Sequence, residues 1–111
     1  GRGYNAVYRR MMAAAVLARA GERDSAQAVL ARARRLEVDE GARTFLLYDE
    51  AHVLLLLGDR DQAIAVLRRY LALRPFLRAY LSRDPVFRAL HGDPRFAEAV
   101  RSPPRTTGPG T

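Results

Sequence analysis

The chain contains no cysteine and no lysine. The first absence excludes disulfides and thiolate chemistry, and it leaves the redox compartment unread. The second means that all 19 basic residues are arginine. With abundant alanine and leucine, that is the composition expected of a GC-rich bacterial coding sequence. Long apolar runs are also missing. A stretch such as Val53 to Leu57 falls far short of the roughly 18 to 20 residues that span a bilayer. No signal peptide stands at the start, because Gly1-Arg2-Gly3-Tyr4 has no apolar core behind it. An initiator methionine is missing too, so the sequence is expected to be processed or cut from something longer. An upstream domain or membrane anchor is compatible with it, and localisation stays open, with the cytoplasm slightly favoured. No block of five like charges occurs. The net charge of +7 is spread from Arg2 to Arg105 and mixes with twelve acids. That pattern reads as a solvated surface.

What is present is a duplication. Gly21 to Arg32 reads G-E-R-D-S-A-Q-A-V-L-A-R, and Gly58 to Arg69 reads G-D-R-D-Q-A-I-A-V-L-R-R. Eight of the twelve positions are identical, and Gly58 follows Gly21 by 37 residues. A fixed period of roughly 20 to 50 residues is the signature of stacked supersecondary units. At 111 residues the chain is one domain with room for a modest core.

Each copy sits between helical patterns. Val7, Met11, Ala14 and Leu17-Ala18 fall at three- and four-residue steps, which predicts a helix over about 5–20 capped by Asn5. Gly21 ends it, and Asp24 is expected to cap a second helix to about Glu37. The inner face of that helix is Ala26, Val29, Leu30, Ala33 and Leu36. A connection of about three residues makes the pair antiparallel. Val38 to Gly41 reads as a polar loop. A third helix over about 42–57 is apolar on several sides, from Phe45 to Leu57, so it is expected to be covered from more than one direction. Gly58 stops it. Asp61 is expected to cap a fourth helix to about Leu73, with Ala63, Ile64, Val66, Leu67, Tyr70, Leu71 and Leu73 inside. Pro75 closes it. Phe76 to Leu81 is a short helical piece. Asp84-Pro85 and Asp93-Pro94 then start two short helices by an acid cap and a proline at the first helical position. Phe87 and Phe96 are expected to cover the end of the stack. Ser102 to Thr111 reads as a proline- and glycine-rich tail without its own fold.

The second unit, with Leu47, Ala51, Leu54, Gly58, Ala63, Leu67 and Pro75, resembles the tetratricopeptide repeat. The first matches at Ala14, Leu17, Gly21, Ala26, Leu30 and Ala33. The period of 37 exceeds the family's usual figure of about 34. Val38 stands where the closing proline of unit one would be, and Tyr70 takes a position that is small in the family. The segment from Arg83 to Phe96 is similar to the closing segment of many bacterial domains of this kind. The resemblance implies an all-α fold: antiparallel helical hairpins stacked as a short α-solenoid, with units at about 5–38 and 42–75 and capping helices over 76–101. It also implies a non-catalytic protein-binding role, as a subunit or accessory domain of an assembly. The alternative is a regulatory domain of a kinase, cyclase or transcription regulator.

In that family the first helix of each unit lines the binding surface. Carried over by position, this nominates Tyr8, Met11, Ala15 and Arg19, and Phe45, Tyr48, Asp49 and His52. Tyr48 and His52 are four apart and share a face. They either contact a partner or pack against the next hairpin or the terminal helices. No catalytic, cofactor or metal residues are expected. Only His52 and His91 are histidines, with too few further ligands at helical spacing. The serines have no base nearby, and Asp49-Glu50 reads as a partly exposed stripe. Arg32, Arg35, Arg68 and Arg69 are expected to form a basic surface, with Arg32 and Arg69 at matched repeat positions. A phosphate backbone fits such a ridge, but aromatic residues do not interleave with it in sequence, so nucleic acid is disfavoured as a partner.

Overall fold

The computed structural model describes residues 3–36 and 38–101, and every described element is helical. Glu37, at the end of the expected second helix, and the 102–111 tail lie outside those residues. Two long hairpins come first, α1 (Tyr4–Arg19) with α2 (Arg23–Arg35) and α3 (Glu40–Leu56) with α4 (Arg60–Leu73). A closing segment follows: a 3-10 turn at Pro75–Leu77, α5 (Arg78–Ser82), a 3-10 helix at Pro85–Leu90 and α6 (Pro94–Val100).

Both hairpins turn by the same device. Gly21 and Gly58 take φ of 81° and 83°, a conformation that costs a residue without a Cβ little. In the first turn Gly21 N–H donates to the Ala18 carbonyl at 3.1 Å and Glu22 N–H to that of Leu17 at 2.9 Å. In the second, Gly58 donates to Leu55 and Asp59 to Leu54, each at 2.9 Å. These crossed bonds satisfy the last carbonyls of α1 and α3 and reverse the chain within two residues. The duplicated segment is thus a turn and the helix that leaves it. Its arginine has a job as well. Arg23 donates to the Leu57 carbonyl of the second turn, and Arg60, at the matched position, donates to the Ala89 carbonyl of the closing segment at 3.1 Å.

The helix starts differ from the sequence expectation. α1 begins at Tyr4 behind Gly3, so Asn5 lies inside the helix and does not cap it. Asp24 and Asp61 fall in the first turns of α2 and α4, and the cap positions are Glu22 and Asp59. Asp59 accepts from Gln62 N–H at 3.1 Å, whereas Glu22 makes no such bond because its longer chain cannot fold back as a cap does. Asp39 caps α3 by accepting from Ala42 N–H at 2.8 Å. That bond starts α3 at Glu40, so the second half of the expected polar loop, Glu40 and Gly41, is helix.

Ala14, Ala26, Ala51 and Ala63 are all fully buried, and they let α1 approach α2 and α3 approach α4 closely. α3 packs against α1, α4 and the Pro85–Leu90 helix, which is why it carries apolar residues on several faces. Leu73 was expected inside but is 58% exposed, since α4 ends there with nothing beyond to cover it. Glu50 was read as part of an exposed stripe. It is buried and accepts from Arg34 Nε at 2.7 Å, so α2 and α3 are tied by an ion pair. Asp84 and Asp93 cap their helices as expected, accepting from Val86 and Arg95 N–H. Leu81, Phe87, Leu90 and Phe96 are buried and close the apolar end of the second hairpin.

Candidate functional site

α1 and α3 pack side by side, and one flank of each is left without a covering helix. On α1 the steps from Tyr8 run through Met12 and Val16 to Arg19, one helical face. On α3 the corresponding face is Phe45, Asp49 and His52, with Tyr48 at its edge. The two faces meet where an Arg19 guanidinium nitrogen stands 3.4 Å from Nε2 of His52.

Of the residues nominated from sequence, Tyr8, Arg19, Phe45, Tyr48, Asp49 and His52 reach this surface. Met11 does not. It is fully buried, and Ala15 is 2% exposed, because both point into the contact between α1 and α3. The surface position is one residue further on, at Met12 and Val16, and Val16 is 62% exposed. The three- and four-residue spacing of Val7, Met11 and Ala14 already marked Met11 as core.

The centre of the site is held from the far side. The Tyr48 ring meets the Phe87 ring edge to face at 5.2 Å and leans on Tyr70 at 6.0 Å. That contact is why a large residue is accommodated at position 70. The Tyr48 hydroxyl donates to Oδ2 of Asp84, whose other oxygen caps the Pro85–Leu90 helix. Burial, and then Asp84, push the Tyr48 phenol well above its ordinary pKa, so it remains a donor. His52 also packs edge to face on Phe87, at 6.5 Å. Its pKa is lowered, first by burial and then by Arg19. A neutral imidazole accepts the Arg19 N–H at Nε2. Tyr48 and His52 are therefore packed against the closing segment while remaining half-buried at the surface.

Two charged groups near this centre are unsatisfied. The Arg74 guanidinium lies 4.7 Å over the Phe45 ring, and its Nε is buried with no hydrogen-bond partner. Asp49 enters no ion pair among the described residues, and burial pushes its pKa up to about 6. These long-range partners, Arg74, Asp84 and Phe87, were not legible as site residues, because each lies 29 or more positions from the α3 residue it touches.

No family model, curated protein or solved structure matches this chain. The arrangement must be read from its own chemistry. It offers exposed apolar groups around a half-buried cluster of phenol, imidazole, carboxylate and guanidinium. Among the described residues no three His, Asp or Glu side chains converge as a metal site requires.

Asp49 leads to a pH prediction. Its folded pKa of about 6 lies above the ordinary carboxylate value of 3.8, so the folded state binds the extra proton between those values. Stability is therefore lost as pH rises through that window. Asp49→Asn is expected to stabilise the protein at pH 7 by about 1 kcal/mol, a figure reduced for the partial exposure of the group. The gain should vanish near pH 4. Because it is a difference between two proteins, the opposing slope from His52 cancels. Urea denaturation of both proteins at several pH values measures it, and a gain independent of pH would rule out the assigned titration.

Proposed function

We propose that this chain is a non-catalytic protein-binding domain of the tetratricopeptide class, acting as a subunit or accessory domain of a larger assembly. The observation that carries the reading is the uncovered flank of α1 and α3, where Val16 and Phe45 are 62% and 50% exposed around a preorganised polar centre. Large apolar groups left open beside fixed hydrogen-bonding groups are what a partner's side chains can use. The rigid backing from Phe87 and Asp84 supports the same reading, since less side-chain freedom remains to be lost on binding. The matched glycine turns and buried alanine pairs support the likeness to the repeat class. They do not identify a partner.

Site-specific cross-linking tests this. A benzophenone side chain at position 16 should capture a discrete protein from the native host, and one at the exposed Ala28 on the outer side of α2 should not. Capture should fail in an Arg19→Ala, Phe45→Ala background that melts like the wild type. Equal capture from both positions, or none from position 16, would refute the proposed face.

A further inference from the structure

We infer that the end of the stack opposite the two glycine turns docks an acidic, apolar-bearing segment of another protein. The turns lie together, since Arg23 of the first reaches the Leu57 carbonyl of the second. The opposite end gathers the start of α1, the end of α2, the start of α3 and the end of α4. The contacts of Arg43 with the Leu36 carbonyl and of Arg74 with Phe45 hold it together.

Charge is sorted between the two ends. At the turn end, Arg19, Arg23, Arg60, Arg88 and Arg95 stand among Glu22, Asp24, Asp59, Asp61 and Asp93, and Arg60 and Arg95 pair with Asp61 and Asp93. At the opposite end, Arg9, Arg32, Arg35, Arg68 and Arg69 are exposed and enter no ion pair among the described residues. Part of this has a local cause, because the cations in the last turn of α2 complement its dipole. The dipole does not account for Arg9 and Arg10 in the first half of α1, which has no acid in its first turn. The cationic excess is therefore a property of one end of the molecule. The sequence already grouped Arg32, Arg35, Arg68 and Arg69 as a basic surface, and the fold brings Arg9 to the same end.

The same end is apolar. Leu73 and Phe76 are 58% and 74% exposed. Phe76 lines a shallow depression with Pro75 and Val100, bordered by Arg78 and Arg101. Apolar surface set among arginines is the composition of a protein interface. A guanidinium fork also fits a carboxylate with two hydrogen bonds. Nucleic acid is the weaker fit, because stacking of successive bases needs a row of open ring faces, and at this end Phe76 offers one. Here Tyr4 and Tyr8 stack on each other at 6.0 Å, and Arg74 occupies a face of Phe45.

The inference shares the partner class of the reading above and borders its surface at Phe45, but it rests on other residues, so the two can fail separately. The probe is a labelled peptide of glutamate interspersed with leucine, followed by fluorescence anisotropy with the full chain. Arg35→Glu with Arg69→Glu should weaken binding by about tenfold or more. Arg83→Glu with Arg88→Glu, an equal charge change elsewhere, should weaken it by less than about twofold. If the first pair fails to fold, Arg32→Gln with Arg68→Gln reads the same surface with a smaller loss. Val16→Gln should leave this affinity unchanged. Equal losses from the two reversed pairs would reduce the effect to net charge and overturn the proposal. So would displacement of the peptide by single-stranded oligothymidylate at matched charge, which would assign the surface to nucleic acid.

Discussion

Replacing Phe87 with alanine is expected to remove about 3 to 5 kcal/mol of unfolding free energy. The ring is fully buried and is shared by three parts of the fold. It closes the apolar end of the α3–α4 hairpin, stands edge-on to Tyr48 and backs His52. The closing segment has no other ring in that place, because Phe96 stacks beside His91 instead, at 5.5 Å. Truncation leaves a void that rigid helices fill only in part. For a domain of this size the loss corresponds to a melting temperature lower by roughly 15 to 30 °C. Phe87→Leu should cost much less, since most of the volume is kept. Urea denaturation of the three proteins decides the matter. A loss below about 1 kcal/mol for the alanine variant would mean that the closing segment does not unfold with the hairpins.

The second large effect is expected at Asp84. Its carboxylate is 5% exposed and serves two groups at once, the Tyr48 hydroxyl and the Val86 N–H. Asp84→Ala removes a helix cap and leaves a half-buried hydroxyl without its acceptor, at a combined cost of about 2 to 3 kcal/mol. Tyr48→Phe removes only the donor and should cost about 1 kcal/mol. The double variant should cost less than the sum, because the hydroxyl left orphaned in Asp84→Ala is then absent. Strict additivity would mean that the bond between α3 and the closing segment contributes nothing to stability.

How far the sequence led can be traced to particular residues. The duplicated segment revealed both hairpins, because glycine at a positive φ and alanine at a close contact are chemically narrow requirements. The caps were misplaced by two residues because matching the copies favours what they share. They share Asp24 and Asp61, whereas the working cap Asp59 has Glu22 as its counterpart. Met11 was misassigned for another reason. Its position in the family's pattern was followed, although its spacing with Val7 and Ala14 places it in the core, where it is fully buried. The backing of the site was legible only in kind: packing of Tyr48 and His52 on the terminal helices was one of two sequence readings, but its partners were not. Tyr48 and Asp84 are 36 residues apart, and no local pattern links them.

The arginine of the duplicated segment has one more consequence. Arg23 grips the turn of the hairpin after its own, and Arg60 grips the segment after its own. Neither reaches backwards. The stack is therefore directional, like a row of links that each hook the next. Each module carries the clasp that receives its successor, and because both copies have the arginine and both acceptors are backbone carbonyls, the clasp does not depend on the side chains of the module it grips.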